Sequence, residues 1–318
     1  MRIITIGGSG FIGTYLIGLL QQEHEILNID KCRSTAFPHS TFIADIRDFN
    51  KLLEAIQPAD WVILLAAEHR DDVSPTSLYY DVNVQGTRNV LRALDEKGIH
   101  KVIFISSVAV YGLNKPNPDE TYPADPFNHY GKSKWLAEEV LREWQVKDIQ
   151  NRVLIIVRPT VVFGPNNKGN VYNLLQQISS GRFIMIGKGN NRKSMTYIEN
   201  VTGFIRYLLQ KDMCGYHVFN YTDRPDLSMN ELIGIVEEAM GKKVASVRIP
   251  YVVGYLGGVG FDIAAAITRK RFSISAVRVK KFCATTQFSG EKWQQTGYTP
   301  AYTLQEGLMK TIQTMQQT

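Results

Sequence analysis

Ile3-Ile4-Thr5-Ile6-Gly7-Gly8-Ser9-Gly10-Phe11-Ile12-Gly13 is the stretch whose reading decides the fold. Ile3 to Ile6 read as a short buried strand, the glycines at 7, 10 and 13 as a tight turn, and Tyr15 to Leu20 as the helix that follows. Glycines at this spacing let the backbone turn and approach a pyrophosphate, whose charge the amino terminus of the helix favours. Spacing alone is weak evidence. Its place between a first strand and a helix, with a second strand Glu25-Ile26-Leu27-Asn28-Ile29-Asp30 ending on an acid, makes it strong. Asp30 is suited to accept hydrogen bonds from an adenosine ribose and would repel a 2′-phosphate, so NAD is favoured over NADP. Lys31 and Arg33 soften that preference.

Working outward, Trp61 to Leu65, Lys101 to Ile105 and Val153 to Val157 read as further strands. Helical stretches at Phe49 to Ile56, Asn83 to Lys97 and Ser133 to Gln145 separate most of them. Strands alternating with helices predict an α/β protein with a Rossmann-type, doubly wound parallel sheet covered on both faces. After Arg158-Pro159 the regularity loosens through the loop from Gly164-Pro165 to Asn170. The expectation is a dinucleotide-binding domain over 1–165, then a smaller substrate-binding lobe over 166–318 that closes over the carboxyl end of the sheet, with a strand near 216–221 returning to the main sheet.

The chain has 318 residues, 44% of them hydrophobic and 21% charged, which is ordinary for a globular protein. Cys32, Cys214 and Cys283 have neither metal-ligand nor CxxC spacing, so a reducing, cytosolic compartment is the simplest reading. The first residues run straight into the glycine turn, leaving no room for a cleavable signal peptide. The net charge of +6 matters less than its distribution. Arg269, Lys270, Arg271, Arg278, Lys280 and Lys281 form a run without acids, directly after the almost wholly apolar Ile249 to Ile267. Pro250 and the glycines at 254, 257, 258 and 260 argue against a spanning helix. Two readings stay open: a segment lying on an anionic membrane surface, or a core helix followed by a solvated basic loop. No basic stripe interleaved with aromatics points to nucleic acid. His69, Arg70, Asp71 and Asp72 lack other clustered ligands and read as a loop lining a cofactor or substrate site, with no metal expected.

The second chemical motif is Tyr130-Gly131-Lys132-Ser133-Lys134. On a helix Tyr130 and Lys134 share a face. A free phenol titrates near pH 10 and is a poor base at neutrality, but a nearby ammonium and an oxidised nicotinamide stabilise the phenolate. Ser106-Ser107, after the strand at Lys101 to Ile105, supplies the third part such a site needs: a hydroxyl to hold the substrate hydroxyl. Ser107 and Ser106 compete for that role.

With these motifs the chain resembles the extended short-chain dehydrogenase/reductase family, the NAD-dependent nucleotide-sugar epimerases and dehydratases. Gly7 to Gly13, Asp30, Asp45 to Asp48, Ala66-Ala67, Asn83 to Thr87, Ser106 to Gly112, Tyr130 to Lys134 and Arg158-Pro159 through Gly164-Pro165 carry the resemblance. It implies that Gly7, Gly10 and Gly13, with Phe11 and Ile12, hold the pyrophosphate, Asp30 the ribose, and Asp45 with Ile46 the adenine. Ala66, Ala67 and Asn83 line the cofactor, Lys134 holds the nicotinamide ribose, Tyr130 is the base, and Ser107 rather than Ser106 is the catalytic serine. Leu64 departs from the histidine many relatives carry there.

The 4,6-dehydratases of this family place an acidic pair after the catalytic hydroxyl, where this chain has Val108 and Ala109, so dehydration is disfavoured. A sugar 4-epimerase or an NAD(P)-dependent 4-ketosugar reductase fits, and Asp30 leans toward the epimerase. Ala66 to Ser77 and Arg278 to Phe288 resemble a narrower group, bacterial 4-epimerases acting on N-acetylglucosamine linked through diphosphate to undecaprenol for O-antigen or related glycans. That resemblance implies peripheral contact with the cytoplasmic face of the inner membrane; the alternative is a soluble UDP-linked substrate. Tyr111, Asn170 and Arg192 are candidate substrate contacts, although Tyr111 could equally pack beneath the sugar pocket and Arg192 could be a solvated loop charge. Relatives often pair through helices flanking the sheet, so a homodimer is expected.

Overall fold

The computed structural model describes residues 1–70, 73–244, 247–268 and 275–317. Asp71 and Asp72 of the loop after Ala67, and Arg269, Lys270 and Arg271 of the basic run, lie outside the described residues. The first half of the chain alternates as its pattern predicts: β1 (Arg2–Ile6), α1 (Phe11–Leu20), β2 (Glu25–Asp30), β3 (Thr41–Ile43), α2 (Phe49–Ala55) and β4 (Trp61–Leu64). Then come α3 (Ser77–Tyr80), a π-helical turn over Asp81–Gly86, α4 (Thr87–Lys97), β5 (Lys101–Ile105), a 3-10 turn over Val108–Tyr111, α5 (His129–Val146) and β6 (Val153–Pro159).

The second half holds β7 (Val161–Phe163), α6 (Asn170–Ser179), β8 (Ile184–Ile186), β9 (Arg192–Tyr197), α7 (Ile198–Leu209), β10 (Tyr216–Tyr221), β11 (Asp223–Ser228), α8 (Met229–Met240) and β12 (Val247–Ile249). It ends with α9 (Tyr251–Thr268), α10 (Ala276–Cys283), α11 (Glu291–Gln294) and α12 (Leu304–Gln316). The main sheet is seven-stranded in the order β3-β2-β1-β4-β5-β6-β10, and every pairing in it is parallel. The order reverses between β1 and β4, so a crevice opens at their carboxyl ends, where ligands bind in such sheets.

Strands β1, β4, β5 and β6 are apolar because both faces are covered. On one face Ile4, Val62, Val102 and Leu154 meet Leu91 and Leu94 of α4 and Leu141 and Trp144 of α5. On the other Ile3, Ile63, Ile103 and Ile155 meet α1 and α7 and merge with the apolar residues of α6, α8 and α12. Among the described residues, most of the buried apolar residues of the carboxyl-terminal half thus share one core with that face of the sheet.

Pro250 and the glycines argue against a spanning helix, and the segment forms one helix, α9, of 18 residues. Gly254 and Gly258 let it sit close: a side chain at Gly254 would come within 2.6 Å of Ile186, and one at Gly258 within 2.8 Å of the Ala276 backbone. That small-residue face is the buried one. The large apolar residues point outward, with Leu256 62% and Ile267 77% exposed. Among the described residues α9 alone is long and apolar enough, by length and composition, to cross a membrane. It is not a core helix.

Candidate active site

The glycine turn closes against the sheet in a way that explains two of its glycines by packing. Gly7 has φ +86°, and a Cβ there would lie 2.4 Å from the Ala66 nitrogen; a Cβ at Gly13 would lie 2.4 Å from Gly8. Gly10 is different: nothing approaches a Cβ there closer than 3.7 Å, and the residue is exposed. The space over Gly10 and the first turn of α1 is open, as a bound pyrophosphate requires. Asp30, at the end of β2, accepts from the Ser9 amide at 2.9 Å and the Cys32 amide at 3.0 Å, so its carboxylate stands at the edge of that opening. These residues fit a dinucleotide with free ribose hydroxyls.

The rest of the predicted cofactor set lies around the same crevice. Phe11 and Ile12 begin α1 half-buried. Ala66 and Ala67 continue from β4, with the Ala66 amide donating to Ile6 at 2.8 Å. Asp45 is clamped by the Arg47 guanidinium at 2.6 Å, and that hydrogen bond holds its carboxyl below the usual range. Ile46 is buried against Gly86. Asn83 is buried too, but its side chain is committed within the protein. It accepts from the Glu68 amide at 2.8 Å and donates to the Glu68 carbonyl and, at 2.8 Å, to Ser133. It braces the loop after β4 against α5.

Helix α5 begins at His129 because Asn128 caps it, accepting from the Gly131 amide at 2.9 Å. Tyr130 stands half-buried in the first turn. Gly131 lies against the carbonyl of Ala109, where a Cβ would come within 2.4 Å, so Tyr130 is brought beside the turn that Ser107 caps. Lys134, a turn further on, is fully buried and donates to the Ile105 carbonyl at 2.7 Å, with its ammonium 4.0 Å from the centre of the Phe104 ring. Burial pushes its pKa down to about 7, with the Glu138 charge pulling the other way.

The two serines are separated by their partners. Ser106 is buried and donates to Glu138 at 2.5 Å, behind the sheet edge. Ser107 is half-open, and its oxygen accepts only from the Ala109 amide, at 3.1 Å, among the described hydrogen bonds. Of the two, only Ser107 is partly exposed and not bonded to a carboxylate.

Three predicted substrate contacts land differently. Tyr111 is fully buried, takes a hydrogen bond from Arg158, donates to Asn220 at 2.8 Å, and has its phenol pushed up to about 12 by burial. It packs beneath the site and does not line it. Arg192 is exposed; it donates to the Asp226 carbonyl at 2.7 Å and pairs with the exposed Glu231 at 3.5 Å, so it stands as a solvated surface charge with its partners at hand. Asn170 is exposed at the start of α6. Sequence reasoning misses Glu138 and Arg158 as a pair. Both are buried and joined by two bonds of 2.9 and 2.6 Å, tying α5 to β6 directly below Lys134 and Ser106. Glu138 stands on the Lys134 face one helical turn later, which is the signal that could have found it.

Residues 3–221 match the model of the NAD dependent epimerase/dehydratase family. The chain is 56% identical to N-acetyl-alpha-D-glucosaminyl-diphospho-ditrans,octacis-undecaprenol 4-epimerase of Escherichia coli O157:H7, over 98% of this chain and 94% of that protein. It is 28% identical to UDP-glucose 4-epimerase of Vibrio cholerae, over 98% and 94%. In fold it is similar to MoeE5 in complex with UDP-glucose and NAD (TM-score 0.79, 19% identity, 100% of this chain and 99% of that one). It is similar also to UDP-glucose 4-epimerase of Thermus thermophilus in complex with NAD (TM-score 0.76, 21% identity, 99% of each chain). With its open glycine turn, its Tyr130–Lys134 helix and its parallel sheet, the chain belongs to the NAD-dependent epimerase/dehydratase family.

Proposed function

We propose that this protein is an isomerase that inverts C4 of N-acetylglucosamine carried on diphospho-undecaprenol, giving the N-acetylgalactosamine form through a transient 4-keto sugar. The observation that carries the reading is the 56% identity, over 98% of the chain, to an enzyme named for that activity. The outward apolar face of α9 supports a lipid carrier.

NAD, when bound, supplies the acceptor and donor of the C4 hydride. Tyr130 takes the C4 hydroxyl proton at its phenolic oxygen and gives it back to the same oxygen after the sugar has turned. Lys134, one turn behind, holds the positive charge that makes the phenolate accessible near neutral pH. Ser107 steadies the C4 oxygen by hydrogen bonding. Val108 and Ala109 offer no further transferable proton, so the keto sugar is not drawn into loss of water. Inversion asks the chain for one more thing: a firm hold on the diphosphate while the sugar presents its other face.

The enzyme would work at the cytoplasmic face of the inner membrane, held peripherally by α9, in the assembly of O-antigen or a related glycan. A homodimer through the α4 and α5 helices completes the proposal, and sedimentation equilibrium tests it. The chemical step is tested by running the lipid-linked reaction in D2O with no added cofactor. The expected product keeps protium at C4, because the hydride leaves and returns within one active site. A requirement for added NADPH would favour a ketoreductase, and solvent deuterium at C4 would show proton exchange at that carbon; either would contradict epimerisation by a bound NAD.

A further inference from the structure

Two adjoining hollows share Asn114 and Lys280 and together form one groove. The larger, about 400 Å3, lies between the loop Gly187–Asn191, Tyr251 at the start of α9, and Lys280 and Cys283 of α10. The smaller, about 190 Å3, lies between Leu113–Asn114 and Asp125–Phe127. Its two walls continue into both halves of the candidate active site. Leu113 and Asn114 follow the turn that Ser107 caps, and Phe127 directly precedes the Asn128 cap of the helix bearing Tyr130. The groove thus runs from the catalytic loops to the first turn of the exposed apolar helix.

Its charge is one-sided. Lys188 and Lys280 line the larger hollow, no Asp or Glu lines it, and neither lysine is paired with a carboxylate among the described residues. Arg248 adds a third positive charge, donating to the Lys188 carbonyl at 3.3 Å. The one acid in the smaller hollow, Asp125, is neutralised by Lys115 at 2.5 Å. The basic residues that the sequence puts forward nearby are spent elsewhere. Arg192 is turned onto Asp226 and Glu231. Lys193 donates to the carbonyls of Lys281 and Ala284, at the carboxyl end of α10, and so fixes the helix that carries Lys280.

We infer that this groove seats the diphosphate of the substrate, with Lys188 and Lys280 on its phosphate oxygens, the sugar toward Tyr130, and the alcohol beyond the second phosphate leaving along α9. The inference rests on the reading of the protein as a sugar-diphosphate 4-epimerase and adds where the charge is held and which way the carrier departs. Two cations without acidic competitors match a diphosphate ester. The exposed Val252, Val253, Leu256, Ile263 and Ile267 of α9 follow Tyr251 at the end of the groove, which suits an isoprenoid. Holding the substrate at its diphosphate leaves the sugar free to turn about the bonds to the first phosphate.

The test measures kcat and KM for N-acetylglucosaminyl-diphospho-farnesol and for UDP-N-acetylglucosamine, with the intact enzyme and with Lys188→Gln, Lys280→Gln and the double variant. Both lysines are exposed, so the variants should fold and keep their NAD. The expected result for the farnesyl substrate is a KM raised about tenfold by each substitution, kcat nearly unchanged, and a weaker rise of KM with salt. A double variant with unchanged KM, in an enzyme that turns over the farnesyl substrate, overturns the groove assignment and leaves the epimerase reading standing. If the intact enzyme turns over only the UDP-sugar, the lipid carrier and the exit along α9 are overturned. In that case an unchanged KM for the UDP-sugar in the double variant overturns the diphosphate seat as well.

Discussion

At Lys134 the protein accepts a cost in stability that its chemistry explains. An ammonium with no exposed surface has its pKa pushed down to about 7. A lysine whose folded value lies below its unfolded value of about 10.4 carries the full penalty below about pH 7, and the penalty is relieved as pH climbs through that window. Lys134→Met should therefore be more stable than the intact protein by a few kcal/mol near about pH 6.5, with the gap closing toward about pH 9.5, as read from urea unfolding of the NAD-stripped forms. A gap that does not change with pH would contradict the buried-charge account. Tyr130→Phe should retain NAD, released and quantified after denaturation, while turnover falls by about 10²- to 10⁴-fold, the usual worth of a positioned proton acceptor. Substantial residual turnover would remove Tyr130 from that role. At this scale the sequence is most legible where chemistry demands a spacing, as in Tyr130 and Lys134 or the glycines. It is least legible where two like residues compete for one task. Ser106 and Ser107 differ only in what lies behind them, and the Glu138 carboxylate that claims Ser106 arrives from another element. The full burial of Tyr111 is likewise decided by Arg158 and Asn220, distant in sequence.

Between elements, the Glu138–Arg158 pair is the joint that matters. It holds α5, with Tyr130 and Lys134, against β6, and through Ser106 it holds the end of β5, from which Ser107 follows. Removing one member of a buried ion pair strands the other. Glu138→Ala should cost about 3–5 kcal/mol of unfolding free energy, measured by urea denaturation. A loss below about 1 kcal/mol, the range of surface pairs, would show that the joint is not buried in solution. The strands of the main sheet are legible because continuous apolar runs report burial on both faces. β3 is not, since a three-residue edge strand is set by its pairing with β2 and not by a pattern of its own. Apolar periodicity starts α5 only at Ser133, whereas the Asn128 cap sets its true beginning at His129. In α9 the sequence leaves open a core helix or a surface segment, because it does not show that Gly254 and Gly258 form the face lying against Ile186 and Ala276.

Over the whole molecule, the Lys188–Lys280 groove is bounded by Tyr251 at the start of α9 and by Leu113 and Phe127, which flank the Ser107-capped turn and the Asn128 cap of α5. A protein that keeps Val252, Leu256, Ile263 and Ile267 in water needs a partner for them. Flotation with vesicles containing anionic lipid should carry the intact protein upward and leave Leu256→Glu/Ile263→Glu in the soluble fraction, with NAD content unchanged. Equal flotation of the two would release α9 from the membrane. The central claim is that the sugar is epimerised while attached to a lipid diphosphate. It is tested most directly by giving the purified enzyme, with no added cofactor, either N-acetylglucosaminyl-diphospho-undecaprenol in detergent micelles or UDP-N-acetylglucosamine, and quantifying the C4 epimer of each. The account predicts conversion of the lipid-linked sugar toward a mixture of the two epimers and negligible conversion of the UDP-sugar. Conversion of the UDP-sugar alone would contradict it.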